Sequence, residues 1–274
     1  MADSFDIIII GGGIAGVSAA LTCVSRGKTV GVIANPYETS NLYKAEKVTN
    51  YPGIKEISGP EFAALLHEQL LECGAEEIRG RALSVLPFGE RFGVAVGTAF
   101  YEAGAVILAA GITREKLYPG EAEFLGRGVS YCATCDGMLY RGKRAALIGS
   151  GGEAEQDADF LRSVCGELLR FPGIGRYEIR GGDRVENLIY QGEEYPVDAV
   201  FIIKDTVSVT QLVPGLRYEK GGIVTGRDMS TDVPGVFAAG DCAGKPYQLA
   251  KAAGEGNIAA LSACEYLDQV GKAR

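Results

Sequence analysis

Two glycine-rich turns constrain the fold of this 274-residue chain more than any other feature. The first, GGGIAG at residues 11–16, follows a short apolar run over residues 5–10 and precedes an Ala- and Val-rich helix predicted over residues 14–26. A second apolar run, at residues 29–34, follows that helix. Strand, glycine-rich turn, helix and strand in this order are typical of a dinucleotide-binding unit. The second turn, GSGGEA at residues 149–154, predicts another unit of the same kind.

The spacing of the first turn suits a bound pyrophosphate. Gly11 permits the tight turn, Gly13 lets the backbone approach the phosphates, and Gly16 lets the helix pack closely on the strand. The N-terminus of the helix attracts the negative charge. A glycine-rich turn without a ligand is the alternative. The acidic residue expected at the end of the second strand is replaced by Asn35, whose side chain could still bind a ribose hydroxyl.

The second turn lies in a similar context. A strand is predicted over residues 144–148 before it, and a helix to about Val164 and a strand over residues 168–171 follow it. A strand over residues 236–239 and a long helix over residues 248–267 are predicted near the C-terminus. The chain is therefore expected to hold two nucleotide-binding-type units, one inserted in the other.

Polar stretches at residues 114–128 and 204–207 are predicted to be the crossings between the two units. The predicted fold class is α/β, with two Rossmann-like, three-layer nucleotide-binding domains, the second short and inserted in the first. The first domain is expected to comprise residues 1–115 and 207–274. The inserted domain is expected to comprise residues 116–206 and to be of a nucleotide-binding type; the family resemblance given below implies the pyridine-nucleotide type.

Composition and charge exclude several classes of function. Apolar residues make up 47% of the chain and charged residues 23%, which is ordinary for a globular protein. The formal net charge of −8 is opposite to the basic face that nucleic-acid binding needs. No apolar run is long enough to span a bilayer, and the N-terminal stretch MADSFD lacks the basic start of a signal peptide. We therefore expect a cytoplasmic protein with no nucleic-acid partner and no membrane partner.

Cys132 and Cys135 are separated by two residues, and Asp136 follows directly. Structural disulfides are rare in the cytoplasm, so such a pair is more often redox-active or metal-binding. Zinc needs four ligands, but the chain has a single histidine, His67, which we expect to be structural, and no second cysteine pair; no metal is expected. A redox disulfide is favoured over two inert buried thiols, because this spacing permits a small ring. Asp136 is either the acid that manages thiol protons or a helix cap.

The other five cysteines are scattered along the chain, at positions 23, 73, 165, 242 and 264. All five are interpreted as small core residues rather than sites. Cys242 directly follows Gly240 and Asp241, but we assign it no role.

Four segments together carry a resemblance to a known family. Residues 126–137, GRGVSYCATCDG, strongly resemble the active-site segment of low-molecular-weight thioredoxin reductases. Residues 48–53, VTNYPG, are similar to that family's flavin-side loop, and residues 235–241, GVFAAGD, to its second FAD motif. Residues 247–256, YQLAKAAGEG, resemble its C-terminal flavin helix. The match runs in order over nearly the whole chain, so it is far more specific than any single motif.

This resemblance implies FAD bound non-covalently by the first domain, the cysteine pair on the inserted domain, and a homodimer that reduces a thioredoxin-like protein. By family analogy Cys135 would lie nearer the flavin than Cys132, and Asp136 would be the acid. Asp241 would contact the flavin ribitol, and Gln248–Ala250 would line the isoalloxazine. The residues expected to bind FAD are Gly11, Gly13, Ile14, Ala15, Gly16, Asn35, Asn50, Ala110, Gly111, Gly240, Asp241, Gln248, Leu249 and Ala250.

The chain departs from the family where the inserted domain would bind NADPH. The family carries a His-Arg-Arg run that holds the 2′-phosphate, whereas residues 171–175 here are FPGIG, flanked by Arg170 and Arg176. A single flanking arginine is a poor substitute for a bidentate phosphate clamp. Acidic residues crowd the start of the helix after the second turn, where they compete with phosphate. These acids are Glu153, Glu155 and Asp157.

Two further departures point the same way. The inserted domain is shorter than the family norm, and KDTV at residues 204–207 replaces the family's Gly-x-x-Pro-Asn stretch. This profile resembles the ferredoxin-dependent flavin thioredoxin reductases, which lack working pyridine-nucleotide binding, and it predicts reduced ferredoxin as the electron donor. Three alternatives stay open: an NADPH-dependent thioredoxin reductase with an atypical pocket, an enzyme with another cofactor in the second site, and a flavoprotein redox sensor.

Docking of an acidic ferredoxin would require a local basic face. Candidate residues concentrate in the inserted domain, although solvated surface charge balanced by nearby acids is the alternative. The candidates are Arg141, Lys143, Arg144, Arg162, Arg170, Arg176, Arg180 and Arg184.

Overall fold

The computed structural model describes residues 3–111, 117–131, 133–203 and 212–272, and of Cys135 and Glu153 the backbone alone. The chain divides into two compact units: unit 1 is Met1–Thr113 with Ser208–Arg274, and unit 2 is Arg114–Val207. The predicted crossing at residues 204–207 lies outside the described residues. Within those residues, no helix combines the length and apolar character that crossing a membrane requires.

The strands are β1 (Asp3–Ile10), β2 (Val30–Ala34), β3 (Glu76–Arg79), β4 (Ala82–Phe88), β5 (Arg91–Val96), β6 (Ala99–Leu108), β7 (Val129–Ser130), β8 (Arg144–Ile148), β9 (Glu167–Phe171), β10 (Tyr177–Gly181), β11 (Val185–Tyr190), β12 (Glu193–Pro196), β13 (Ala199–Ile202), β14 (Tyr218–Glu219), β15 (Gly222–Ile223) and β16 (Val236–Ala238). The helices are α1 (Ile14–Ser25), α2 (Gly59–Glu72), α3 (Ala133–Asp136), α4 (Gly152–Val164) and α5 (Leu249–Lys272). Short 3₁₀ turns follow β2, α3 and β16.

Unit 1 is built on a seven-stranded sheet in the order β3-β2-β1-β6-β5-β4, with β16 also paired to β6. Strands β3, β2, β1, β6 and β16 run parallel, whereas β4, β5 and β6 form an antiparallel meander. Residues 7–10 of β1 and all of β2 are buried. Such continuous apolar runs are typical of parallel strands that are covered on both faces, and they confirm the predicted strand–turn–helix–strand order.

Strand β6 corrects one prediction. The sequence predicts separate strands over residues 98–102 and 105–110, but β6 is a single strand. It pairs with β1 along its length, while β5 borders its first half and β16 its second. Residues 99–102 are exposed or half-buried and residues 103–108 are buried, so the apolar signal begins only in the middle of the strand.

The helices of unit 1 largely follow their local signals. The spacing of Ser58 and Glu61 predicts a capping box at the start of α2. The structure confirms it, because the Ser58 side chain accepts from Glu61 N and the Glu61 side chain accepts from Ser58 N. Helix α5 continues to Lys272, five residues beyond the predicted end at Leu267. Helices α1 and α5 pack against each other and against the sheet through buried small side chains.

Unit 2 contains a four-stranded parallel sheet in the order β7-β13-β8-β9 and a three-stranded antiparallel sheet in the order β10-β11-β12. Helix α4 follows β8, which confirms the second predicted strand–turn–helix sequence. The fully buried side chains of the parallel sheet include Leu147, Ile148, Phe201 and Ile202. Both units therefore have the parallel α/β topology that the fold-class prediction describes.

Candidate functional site

The first glycine-rich turn joins β1 to α1 and excludes side chains at two positions. Gly11 has a φ of +119°, and a Cβ on it would collide with the Ala109 carbonyl oxygen. A Cβ on Gly16 would collide with the Gly11 carbonyl oxygen. Gly13, the N-cap residue of α1, has no heavy atom within 4 Å of the place its Cβ would take. The turn is therefore tight on its inner side and open at the helix N-terminus, where a phosphate group fits.

Other predicted residues of this site lie at one edge of the sheet in unit 1. Ile14 and Ala15 occupy the first turn of α1 and are buried. Strands β2, β6 and β16 run parallel to β1. Their carboxyl ends therefore meet at the edge of the sheet that carries the first glycine-rich turn. The residues that follow these strands are Asn35 after β2, Ala110 and Gly111 after β6, and Gly240 and Asp241 after β16.

A hydrogen bond joins the loop at residues 48–53 to the segment at residues 247–256. Asn50 Nδ2 donates to Gln248 Oε1 at 3.1 Å. Gln248 directly precedes α5, whose first two residues are Leu249 and Ala250. Two segments that are far apart in the sequence are thus brought into contact.

Lys251 and Glu255 anchor the turn that carries Asp241, a role the sequence analysis missed. Lys251 Nζ donates to the carbonyl oxygens of Gly240 and Gly244, at 2.7 and 2.6 Å, and lies 2.9 Å from Glu255 Oε2. The same carboxylate oxygen accepts from Gly240 N at 2.9 Å. The i, i+4 spacing of a lysine and a glutamate on a predicted helix was a signal for this pair.

Burial raises the pKa of the Asp241 carboxyl above its usual value. The positive charge of Lys251 opposes this shift, and the negative charge of Glu255 adds to it. Lys251 therefore holds the turn in place and also favours the charged form of its acidic residue.

The redox segment, residues 132–136, lies in unit 2. Cys132 itself is outside the described residues. Cys135 belongs by its backbone to the one-turn helix α3. Asp136 Oδ2 accepts a hydrogen bond at 2.7 Å from Ser130 Oγ, whose residue is buried in β7. Asp136 occupies the N-cap position of the following 3₁₀ turn, but its side chain makes no capping bond there.

Glu121 is a fully buried carboxylate that sequence reasoning missed. Its Oε1 accepts from the Tyr131 hydroxyl and its Oε2 from Tyr118 N, both at 2.8 Å. Buried charges are retained where hydrogen bonds satisfy them. Because Tyr131 directly precedes Cys132, Glu121 anchors the start of the redox segment, as Ser130 anchors Asp136 at its end.

The second glycine-rich turn joins β8 to α4, and an ion pair lies beside it. Arg170, in β9, donates two hydrogen bonds to the Glu155 carboxylate, at 2.7 and 2.6 Å. These bonds raise the pKa of Arg170 and lower the pKa of Glu155. The arginine that directly precedes the 171–175 segment is therefore already engaged by an acid of α4.

The loop after β9, residues 172–175, folds back onto the second turn. Gly173 N donates to Ser150 Oγ at 3.0 Å. The hydroxyl of Tyr118 donates to the Gly173 carbonyl oxygen at 3.2 Å, and the hydroxyl of Tyr177 donates to the Pro172 carbonyl oxygen. Three hydrogen bonds thus hold this loop against the glycine-rich turn and the body of unit 2.

An aromatic cluster flanks the 172–175 loop. Phe171 packs edge-on against Tyr177, Tyr190 and Tyr195, with ring centroids 5.0–6.3 Å apart. Tyr177 and Tyr190 are stacked at 4.8 Å. Aromatic pairs at these separations stabilise each other beyond their burial, so the cluster fixes the end of β9 and the loop that follows.

His67 has a structural environment, in agreement with its prediction. Its Nε2 lies 2.9 Å from Glu77 Oε1, and its ring stacks on Tyr37 with centroids 4.9 Å apart. In the part of the chain that the structure describes, no group of three or more His, Cys, Asp or Glu side chains could hold a metal ion.

The family model of the pyridine nucleotide-disulphide oxidoreductases matches residues 5–165 and 175–256. The chain belongs to this family. The match covers both glycine-rich turns, the redox segment and the first third of the helix that follows Gln248. The interruption at residues 166–174 coincides with β9 and most of the 172–175 loop, where the family resemblance was predicted to fail.

The relatives of this oxidoreductase include thioredoxin reductases along its whole length. It is 34% identical over 304 residues to the thioredoxin reductase of Treponema pallidum, with 98% of this chain and 99% of the relative covered. It is 32% identical over 302 residues to that of Bacillus subtilis, with 97% and 96% covered. The alignments are longer than the 274 residues of this chain, so both relatives contain segments that are absent here.

Two solved structures are similar over nearly the whole chain. The ferredoxin-flavin thioredoxin reductase of Clostridium acetobutylicum matches with a TM-score of 0.89 at 35% identity, covering 99% of this chain and 100% of the other. A thioredoxin reductase of Gloeobacter violaceus matches with a TM-score of 0.76 at 28% identity, covering 97% and 95%. This protein is thus an oxidoreductase of the thioredoxin reductase type.

FAD is the cofactor of this oxidoreductase, as in the thioredoxin reductases of its family. The residues of unit 1 fit it. The N-terminus of α1 is open beside Gly13, which suits a pyrophosphate. Asp241 and the Asn50–Gln248 contact supply the polar groups that a ribitol chain and a ring edge would need.

Proposed function

We propose that this oxidoreductase reduces the disulfide of a thioredoxin-like protein with electrons that enter FAD in unit 1 from reduced ferredoxin. The observation that carries the choice of donor is the second glycine-rich turn, which the chain covers with its own 172–175 loop. The higher TM-score of the Clostridium ferredoxin-flavin enzyme, 0.89 against 0.76 for the Gloeobacter enzyme, supports the same choice.

The charges around the second turn disfavour NADPH. A 2′-phosphate is held best by a guanidinium that donates two parallel hydrogen bonds. Arg170 already donates such a pair to Glu155. A phosphate that took over Arg170 would leave the Glu155 carboxylate unpaired in the first turn of α4, and like charges repel there.

The 172–175 loop disfavours the rest of the dinucleotide. Gly173 lies in van der Waals contact with the turn, since a Cβ on it would be 3.3 Å from Ser150 Oγ and 3.4 Å from Ser150 N. A dinucleotide that bound at the second glycine-rich turn would break the hydrogen bond from Gly173 N to Ser150 Oγ. It would also displace the 172–175 loop, which Phe171 and its aromatic neighbours hold in place. A ligand has to offset that loss before it gains affinity.

The disulfide chemistry is assigned to Cys132, Cys135 and Asp136. FAD, held at the first glycine-rich turn of unit 1, would supply the coupling between a one-electron donor and the two-electron disulfide. One thiolate of the reduced pair attacks the partner disulfide, and the second thiol resolves the mixed disulfide, which yields the partner dithiol and the Cys132–Cys135 disulfide. Asp136, oriented by Ser130 Oγ, manages the thiol protons.

Exposed apolar side chains next to the redox pair supply a docking face for the thioredoxin-like partner. Met138 and Leu139 lie in the 3₁₀ turn that follows α3 and are 50% and 71% exposed. Arg141 and Lys143, also exposed, add positive charge beside them. An apolar centre with a charged rim is the usual composition of a protein–protein contact.

Part of the predicted basic face remains available to an acidic ferredoxin. Four of the eight candidates are paired with acids, as the surface-charge alternative expects: Arg144 with Glu167, Arg162 with Asp159, Arg170 with Glu155, and Arg180 with Glu178. Among residues 117–131 and 133–203, no ion pair is found for Arg141, Lys143, Arg176 and Arg184. These four residues are the ones we assign to ferredoxin docking.

The proposal includes a homodimer. Partly exposed leucine and isoleucine side chains on the packed helices α1 and α5 offer a contact face for a second copy: Leu21, Ile258 and Leu261. Sedimentation of the wild type and of Leu261→Glu tests this face. A dimeric mass that the substitution leaves unchanged would remove it from the proposal.

Anaerobic turnover tests the proposed function. Thioredoxin disulfide is offered with reduced ferredoxin, NADPH or NADH, and the new thioredoxin thiols are counted. We expect thiols with ferredoxin only, no turnover in Cys135→Ser, and normal turnover in the matched control Cys165→Ser, another cysteine of unit 2. Turnover with NADPH would contradict the donor, and a reduced flavin without new thiols would indicate a redox sensor.

A further inference from the structure

The interface between α1 and α5 holds two cysteines that the redox segment does not include. A Cβ on Gly256 would collide with the Ala15 carbonyl oxygen, so the backbones of the two helices touch. Ser18 Oγ donates to the Ala253 carbonyl oxygen at 2.7 Å. The buried residues of this interface are small: Ala15, Gly16, Ala19, Ala20 and Cys23 on α1, and Ala252, Gly256, Ala259, Ala260, Ala263 and Cys264 on α5.

Cys23 and Cys264 meet in this interface. Cys23 is fully buried and Cys264 is 5% exposed. Each lies eight residues beyond the Ala15–Gly256 contact of the two helices, and the Lys28–Asp268 ion pair follows further along. A disulfide needs Cβ atoms about 3.5–4.5 Å apart, and only helices as closely packed as α1 and α5 allow such an approach. Cys73 and Cys242, by contrast, donate to backbone carbonyl oxygens at 3.1–3.2 Å.

The charges around the pair make the two thiols unequal. The pKa of Cys264 is lowered to about 7, first by the hydrogen bond from Cys23 and then, against its burial, by the charge of Lys28. The pKa of Cys23 is raised by the same hydrogen bond and by burial. Lys28 is held nearby by Asp268, with Nζ 2.5 Å from Oδ1. Cys264 is thus the nucleophilic partner, since the thiolate is the reactive form.

We propose that Cys23 and Cys264 form a second dithiol, which a hydroperoxide converts into a disulfide between α1 and α5. The Cys264 sulfur attacks the peroxide oxygen, becomes a sulfenic acid and releases an alcohol, or water when the oxidant is hydrogen peroxide. The Cys23 sulfur then attacks the sulfenic sulfur, which forms the S–S bond and releases water. The two thiols lose two electrons and two protons, and the cleaved O–O bond accepts them.

This assignment replaces the interpretation of Cys23 and Cys264 as inert core residues. It also gives unit 1 an oxidisable pair of its own, on the two helices that begin at the first glycine-rich turn and at Gln248. The assignment does not depend on ferredoxin or on thioredoxin.

Thiol counting in the unfolded protein tests the proposal after titration of the holoenzyme with hydrogen peroxide. The chain has seven cysteines, so closing the Cys132–Cys135 pair alone leaves five thiols and closing both pairs leaves three. We expect three thiols and a peptide that links position 23 to position 264. Five thiols, with both residues alkylated, would overturn the proposal.

Two variants sharpen the result. Cys264→Ala, which matches its alanine neighbours, should keep four of its six thiols, since only the Cys132–Cys135 pair can close. The matched control Cys73→Ala should keep two of six, because both pairs still close. Sulfinic acid at Cys264 in the wild type, without the cross-link, would also overturn the proposal.

Discussion

Arg170 and Glu155 of unit 2 are joined by two hydrogen bonds, at 2.7 and 2.6 Å. The sequence alone does not predict that this arginine and this acid are partners. The pair sets a carboxylate in the first turn of α4, beside the second glycine-rich turn, and it engages the arginine that precedes the 172–175 loop. An NADPH site would need the opposite arrangement, a free arginine and no acid.

Arg170→Ala should leave the enzyme nearly unchanged. Because the side chains of the pair are 32% and 58% exposed, we expect the free energy of unfolding to change by less than about 1 kcal/mol. Ferredoxin-driven turnover should match that of Arg162→Ala, the control, which removes the ion pair to Asp159. A loss of NADPH-driven flavin reduction that is confined to Arg170→Ala would show instead that Arg170 binds the phosphate.

Asp136→Asn should slow thioredoxin reduction more than Ser130→Ala. The amide still accepts the bond from Ser130 Oγ but cannot manage thiol protons, so we expect a loss of about 10²–10⁴-fold in kcat. Ser130→Ala keeps the carboxylate and loses only its orientation, which should cost less. Steady-state turnover measures both, with the exposed Glu193→Gln as control. Equal losses in the two variants would contradict an acid–base role for Asp136.

Tyr131→Phe should destabilise unit 2. The change removes a hydrogen bond to the buried Glu121 carboxylate, and bonds to charged groups contribute about 1.5–3 kcal/mol. Tyr195→Phe is the control, because its hydroxyl bonds the exposed Glu193 and its loss should matter less. Urea unfolding followed by circular dichroism compares the two variants. Equal stability losses would show that Glu121 does not hold the start of the redox segment.

The stability of the FAD-free protein should fall as pH rises through the titration of Asp241. Burial raises the folded pKa of this carboxyl above its ordinary value of 3.8. Its contribution to stability is therefore fully present below that ordinary value and is lost as pH rises through the raised folded value. Asp241→Asn should abolish this pH-dependent loss of stability. Lys251→Met should shift the loss to higher pH, because the charge of Lys251 lowers the pKa of Asp241.

Unfolding free energies measured across this pH range check the prediction. Lys272→Met, on the same helix but exposed, is the control for Lys251→Met. An identical pH dependence in the wild type and in Asp241→Asn would contradict the assigned cause.

The sequence predicts this fold well wherever the signal is local. The run of residues 5–34 shows its apolar strands, glycine-rich turn and helix directly, and Ser58 with Glu61 marks the start of α2. Strand β3 was missed because residues 76–79 are EEIR, of which only Ile78 is buried. These residues form a strand because β2 offers them a parallel partner, which no local pattern reveals.

The residues of the candidate site likewise divide into those that local sequence predicts and those that depend on tertiary packing. Asn35 and Asp241 could be placed at one sheet edge from the strands they follow. Glu121 could not be predicted, because its burial depends on a hydroxyl ten residues away and on the packing of unit 2. The pairing of Cys23 with Cys264, which are 241 residues apart in the sequence, depends on two helices that approach through small side chains. Spacing in the sequence gives no sign of it.

Anaerobic stopped-flow mixing tests the central claim, that electrons enter this enzyme from ferredoxin rather than from a pyridine nucleotide. The oxidised holoenzyme is mixed with reduced ferredoxin, NADPH or NADH, and the flavin absorbance is followed. We predict that ferredoxin bleaches the flavin as fast as the enzyme turns over, whereas NADPH and NADH leave it oxidised on that time scale. Fast bleaching by micromolar NADPH would contradict the claim.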